Sequence, residues 1–175
     1  MEHPLALFQY CPKCGSKEFK VNNEKSKKCL ACNFTYYFNP SAATVAVIVN
    51  PKREILVCRR ANDPAKGTLD LPGGFVDMNE TGEQAVIREV KEETNLNVDE
   101  AEYLFSLPNL YLYSGFLVHT LDLFYLCKVN DLNNPIGRDD ISESFFVNID
   151  DLIVDDFGLQ SIKKGLTILK SQNIL

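Results

Sequence analysis

The sequence predicts an α/β sandwich, a mixed sheet flanked by helices, with a small metal-binding ribbon in front of it. Three observations predict this. Stretches with strand-like alternation outnumber helical ones and are mostly joined by short turns. Two segments carry helical character, one rich in glutamate in mid-chain and one amphipathic at the end. Two Cys-x-x-Cys pairs lie near the start, in a segment whose composition differs from the rest.

Taken in order, residues 1–39 form the predicted ribbon. Cys11 and Cys14 are separated by two residues, as are Cys29 and Cys32, and fourteen residues lie between the pairs. Each pair suits a tight knuckle that points two thiolates at one ion, and two knuckles complete a tetrahedron. Gly15 and Asn33 tolerate the positive backbone angles such turns need. Structural zinc is the expected occupant, with iron as the alternative; a disulfide pairing conflicts with a cytoplasmic chain. The segment YFNPSA joins the ribbon to a main domain over 40–175, and Pro40 blocks a helix across the joint.

ATVAVIV and EILVCRR then read as strands around the turn NPKR, and TLDLPGGFV as a short strand broken by Pro72, Gly73 and Gly74. A helix is expected from about Thr81 to Thr94. AEYLFSL, the long FLVHTLDLFYLCKV and ESFFVNI follow as strands. Leu159, Ile162, Leu166 and Leu169 form one stripe of the closing helix. Cys58 and Cys127 fall inside apolar runs and read as buried, inert thiols.

The 175 residues carry a net charge of −6, unevenly spread. Residues 1–40 hold six lysines and three glutamates, whereas the remainder holds twelve basic and twenty-one acidic groups. So acidic a body argues against general nucleic-acid binding and for a divalent cation. The chain starts without the basic and apolar pattern of a signal peptide and contains no run long enough to span a membrane, so a cytoplasmic location is expected.

The mid-chain helix poses a question. Glu89, Glu92 and Glu93 sit at i, i+3 and i+4, where each like-charged pair costs about 0.2–0.5 kcal/mol in an isolated helix. A divalent cation would turn that repulsion into attraction, and Mg²⁺ or Mn²⁺ favours oxygen ligands. Arg88 can pair with Glu92 one turn on and orient it. A solvated acidic face is the plain alternative, and the surrounding residues decide against it. Gly74 is followed by five residues and Glu80, then seven residues and Arg88-Glu89, Val90, Glu92-Glu93 and Leu96.

That spacing resembles the Nudix box of the Nudix hydrolases. Asn95 stands where the family has Gly, and Asn is the next-best residue for a left-handed helix end. The resemblance covers roughly residues 40–172. It implies a Nudix-type α/β/α sandwich and metal-dependent hydrolysis of a nucleoside diphosphate linked to another group, X, such as ADP-ribose, a nucleotide sugar or a dinucleotide. It also implies Glu89, Glu92, Glu93 and the Gly73 carbonyl as ligands, Glu89 or Glu93 as base, and Glu80 and Arg88 as supports. A further acid is expected from RDDISES, where Asp139, Asp140 and Glu143 are available and Glu143, just ahead of FFV, is the first choice.

A four-Cys ribbon before such a domain resembles the layout of the NADH pyrophosphatase branch, whose Ser-Gln-Pro-Trp-Pro-Phe-Pro signature is here SLPNLYL. Ser106 and Pro108 agree, and the chain has no Trp. Arg59 and Arg60, sent to opposite faces of a strand, offer one phosphate contact. Tyr111, Tyr113 and Phe116 offer stacking surfaces; His119 reads as structural. The expected partners are a nucleotide-derived small molecule and a second copy of the chain, with the ribbon helping to form a homodimer. A second reading is a non-catalytic nucleotide sensor whose ribbon lysines grip nucleic acid. Such sensors tend to lose box glutamates, and all are present here.

Overall fold

The computed structural model describes residues 3–132, 135–138, 140–172 and 174. The chain divides into two compact units, Met1–Pro40 and Ser41–Leu175. In the first, β1 (Phe19–Asn23), β2 (Ser26–Cys29) and β3 (Thr35–Tyr37) form an antiparallel sheet in that order. Phe19 packs with Cys11 and Cys29, and Cys32 and Phe34 lie against them. A core this small needs a further source of stability.

The second unit holds two three-stranded sheets. β4 (Ser41–Val47) runs parallel to β8 (Phe116–Lys128), which pairs antiparallel with β7 (Glu100–Tyr113). β5 (Glu54–Arg60) lies between β6 (Leu69–Asp70) and β9 (Ile141–Asn148), antiparallel to both. Helix α1 (Gly82–Thr94) and helix α2 (Gln160–Ser171) cover opposite faces. Period-two alternation builds both layers from the same strands. Val45, Val47, Ile55 and Val57 pack with Ile162, Leu166 and Leu169 of α2. Their neighbours Ala46, Ile48 and Leu56 pack with Val86 and Val90 of α1. The unit is thus the expected α/β/α sandwich with a mixed sheet.

One element differs from expectation in a way that matters. The expected strand AEYLFSL does not end at Leu107; it runs on through PNLYLY as β7, and β7 and β8 form a long hairpin turning at Ser114 and Gly115. Pro108, which argues against a central strand, is tolerated because β7 is an edge, with β8 as its neighbour. Among the described residues no helix is long and apolar enough to cross a membrane.

Gly165 lets α2 approach the sheet, because a Cβ there would overlap the ring of the fully buried Phe124. Gly165→Ala gains about 1 kcal/mol of helix propensity and loses roughly 1–3 kcal/mol to overpacking. A net destabilisation is expected, read as a lower urea midpoint at unchanged slope. A raised midpoint would show that α2 can withdraw from Phe124 without loss.

Candidate active site and metal centres

Helix α1 starts sharply. Thr81 accepts the Gln84 backbone N–H while the Gln84 side chain accepts the Thr81 N–H, a reciprocal cap. It ends at Asn95, whose φ of 62° is the left-handed conformation expected of Gly there, and whose N–H bonds the Lys91 carbonyl. Between these caps the three glutamates have different surroundings. The Glu92 side chain is 50% exposed and that of Glu89 15%, whereas Glu93 is buried on the sheet side with Ala85, Val86 and Val90.

Two glycines make room for this. The backbone before α1 lies on β4 through Ala46 N–H to the Pro72 carbonyl (2.7 Å) and Thr44 N–H to the Gly74 carbonyl (2.8 Å). At Gly73, with φ of 148°, a Cβ would overlap the Thr44 carbonyl. At Gly74 it would stand 2.5 Å from the Glu89 carboxylate. The Gly73 N–H donates to Glu93 Oε2 at 2.9 Å.

Arg88 gathers the outer acids. It donates to Glu80 (2.9 Å through both Nε and Nη2), Glu89 (2.8 Å), Glu92 (3.0 Å) and the Phe75 carbonyl (3.0 Å). Hydrogen bonds from Arg88 hold Glu80 below the ordinary carboxylate range. Glu89, touching the same guanidinium, is nevertheless pushed up, because burial outweighs the pairing. Glu93 is pushed well above its ordinary range by burial, reinforced by the charges of Glu89, Asp70 and Asp140.

A cleft of about 330 Å³ opens over these groups. Gly73, Arg88, Glu89, Glu92 and Glu93 line it, as do Arg60, Tyr111, Asp140, Asp70 and Asp122. The donor set is carboxylate oxygen; Arg88 pairs with Glu89 and Glu92, whereas Glu93 meets the Gly73 N–H and no cation among the described residues. That set fits a hard divalent ion.

Several expected residues lie elsewhere. Arg59 and Glu143 face each other across β5 and β9 and pair with one another, outside the cleft. Alternation along β5 turns Arg59 outward and leaves Arg60 inward, where it donates to Asp70 (2.6 Å), the Pro64 carbonyl (2.7 Å) and the Tyr111 hydroxyl (3.4 Å). Glu143 belongs to β9, and Asp140, in the loop just before that strand, reaches the cleft instead, accepting from the Asn62 amide at 2.7 Å. The loop is tied to the end of α1 by Ile136 N–H to the Thr94 carbonyl and Arg138 N–H to the Glu93 carbonyl. Asp139 lies outside the described residues. Glu80 braces Arg88 from beyond the cleft. Tyr113 stacks on Tyr111 at 6.3 Å, is 60% exposed and does not line the cleft. Sequence reasoning missed Asp70, Asn109, Thr120 and Asp122, whose only signal is a polar residue at an inward register of an apolar strand.

In the ribbon the four cysteine sulfurs lie within 4.8 Å of one another. The Cys11–Cys32 and Cys14–Cys29 separations are 3.8 and 3.6 Å, far beyond a disulfide bond. Sulfurs about 2.3 Å from one tetrahedral ion stand roughly 3.8 Å apart. Gly15 (φ 73°) and Asn33 (φ 61°) close the knuckles by donating to the Cys11 and Cys29 carbonyls. The cluster can hold a metal ion.

The raised pKa of Glu93 has a consequence for stability. Its folded value exceeds the ordinary 4.5, so the folded state keeps this proton longer than the unfolded chain does. That stability is complete below the ordinary value and drains as pH rises through the folded one. Without divalent cation, the thermal midpoint should therefore fall as pH rises from the acid range towards neutrality, and Glu93→Gln should flatten the fall. An identical slope in the variant would remove Glu93 as its source.

The NUDIX domain model matches residues 39–167. The NAD-capped RNA hydrolase NudC of Haemophilus influenzae is 34% identical over 110 residues, covering 62% of this chain and 41% of that one. The ADP-ribose pyrophosphatase of Methanocaldococcus jannaschii is 48% identical over 63 residues, covering 36% and 37%. The chain thus spans about two fifths of the length of the curated relatives it matches. A NUDIX hydrolase structure from Nitrosomonas europaea shares the fold with a TM-score of 0.75 at 23% identity, covering 94% of this chain and 91% of that one. A MutT NUDIX hydrolase structure from Burkholderia pseudomallei gives 0.57 at 28% identity, covering 66% and 88%. With the family model spanning most of the chain and the box glutamates gathered along one cleft, this chain belongs to the Nudix family.

Proposed function

We propose that the chain is a metal-dependent pyrophosphohydrolase that cleaves the pyrophosphate of a nucleoside diphosphate linked to a second group, X. The observation that carries this reading is the gathering of Glu89, Glu92, Glu93 and Asp140 along one cleft, with Glu89 and Glu93 pushed towards protonation. Mg²⁺ or Mn²⁺, held by Glu89, Glu92, Glu93 and the Gly73 carbonyl, would neutralise the pyrophosphate and supply a water of lowered pKa. Arg88 fixes the ligand carboxylates through its bonds to Glu80, Glu89 and Glu92. Gly73 engages one oxygen of Glu93 and leaves Oε1 as a proton acceptor; Glu89 is the other candidate base. Arg60, braced by Asp70, meets the substrate's negative charge from the opposite side. Asp140 replaces Glu143 as the acid contributed by the loop before β9.

ADP-ribose, nucleotide sugars and dinucleotides such as NADH form the substrate class; a relative named ADP-ribose pyrophosphatase and one named NAD-capped RNA hydrolase support its ADP-ribose and NAD members. The ribbon, residues 1–39, is a structural zinc module in a reducing cytoplasm, supported by sulfur separations that suit a tetrahedral ion. A homodimer is supported by the outer face of the β7–β8 hairpin, where Leu110, Leu112, Leu117 and Leu121 are all exposed.

The deciding assay is phosphate-containing product release from ADP-ribose, NADH, NAD⁺, nucleotide sugars, dinucleoside polyphosphates and nucleoside triphosphates, with Mg²⁺ or Mn²⁺. One compound should turn over, and Glu93→Gln should reduce its kcat by roughly 10²-fold or more. Silence across the panel, with one compound still bound tightly, would replace the hydrolase by a sensor. For the ribbon, strong chelation should release zinc and unfold residues 1–39 while the remainder stays folded. Absence of zinc in metal analysis of the purified chain would sink that assignment.

A further inference from the structure

The wall of the cleft facing away from the box is the inner side of the β7–β8 hairpin. Asn109 and Thr120 form a cross-strand pair there, with Asp122 two residues beyond Thr120 on the same face and Tyr111 two residues beyond Asn109. Asp122 is buried and fully matched. Its Oδ1 accepts the Thr120 hydroxyl and its Oδ2 the Ser161 hydroxyl, both at 2.6 Å. Asn109 is different. It is only 7% exposed, it lines the cleft, and its side-chain amide meets no hydrogen-bond partner among the described residues.

The amide opens to the cleft, so a ligand there can take up the bonds that the described residues leave unmade. It presents two N–H donors and a carbonyl acceptor in one plane. What satisfies it is a planar group with a donor and an acceptor side by side. An anion is disfavoured, because the buried Asp122 carboxylate lies diagonally across the strand pair. An aromatic flank is already in place: Tyr111 stands edge-on to Phe75 at 6.0 Å, and both line the cleft.

We propose that Asn109 is a specificity-determining residue whose side-chain amide reads a planar donor–acceptor edge on the substrate, either the amino-bearing edge of a 6-aminopurine or a carboxamide. The inference rests on the reading of the cleft as a nucleotide-derivative site and names which part of the ligand faces the hairpin. The phosphates lie towards Arg60 and the box, and the flat neutral group lies between Tyr111 and Asn109. Asn and adenine form such paired bonds elsewhere, and one good pair is worth roughly a tenfold preference or more.

The test is calorimetric binding to the full chain with Ca²⁺ as the added cation, so that the readout does not require turnover. Two ligand pairs are compared: ADP-ribose against its hypoxanthine analogue, and NAD⁺ against deamido-NAD⁺. The wild-type chain should prefer the amino-bearing member of one pair by about tenfold or more. Asn109→Leu, similar in volume and without polar atoms, should bring that preference to within about twofold. Asn109→Ala should do the same with less steric change, and thermal midpoints establish that both variants are folded. Collapse in the first pair assigns Asn109 to the base edge, and collapse in the second assigns it to the carboxamide. Unchanged preferences in both variants, or no binding of any of the four ligands, overturns the inference. Binding that collapses as expected in a chain that hydrolyses nothing sinks the hydrolase reading alone.

Discussion

The cleft depends on one close approach of backbone to backbone. Between β6 and α1 the chain crosses β4 at Gly73 and Gly74 with no side chain to hold the layers apart. The same two residues reach the helix: the missing Cβ of Gly74 leaves space for the Glu89 carboxylate, and the Gly73 N–H donates to that of Glu93. Sheet, turn and helix are thereby fixed to each other within a few residues. Any side chain there would separate the acids from the strands that form the rest of the cleft.

Electrostatics then divides the acids into two groups. Glu80 and Glu89 share one guanidinium and are about equally enclosed, yet move in opposite directions. Glu80 accepts two bonds from Arg88 and the Asp77 N–H, whereas Glu89 accepts one bond, too few to offset its burial. Glu80 is a settled ion pair. Glu89 and Glu93 have given up hydration without gaining an equivalent counter-charge. Arg88 is thus rigid scaffolding for the outer acids, and the inner acids retain unspent affinity for a cation.

Most of the scaffold was legible in the sequence because it rests on local rules. The Cys spacing, the capped helix with glutamates at i, i+3 and i+4, and the alternating strands each carry their signal within a short window. The hairpin was harder. The expected strand stopped at Leu107, and Pro108 is acceptable within the longer one only because β7 lies at the edge of its sheet, a property of the whole topology. Glu143 stood nearest to an apolar strand and was the natural choice of acid, but its register opposite Arg59 on β5 turns it outward, while Asp140, still in the loop, bends in. Asn109 and Asp122 were invisible because a polar residue in a strand looks the same whether it faces water or a cleft.

The loop that carries Asp140 also closes the end of α1, since the Ile136 and Arg138 amides take up the Thr94 and Glu93 carbonyls. Those carbonyls would otherwise lack partners, as the last turn of any helix does. For an engineer who transplants this loop from a relative to change selectivity, the two roles are inseparable: a donor segment with the desired acid but the wrong amide spacing would fray the helix that bears the metal ligands. Variation at the loop is therefore filtered first by whether it can finish a helix, and only afterwards by what chemistry it brings.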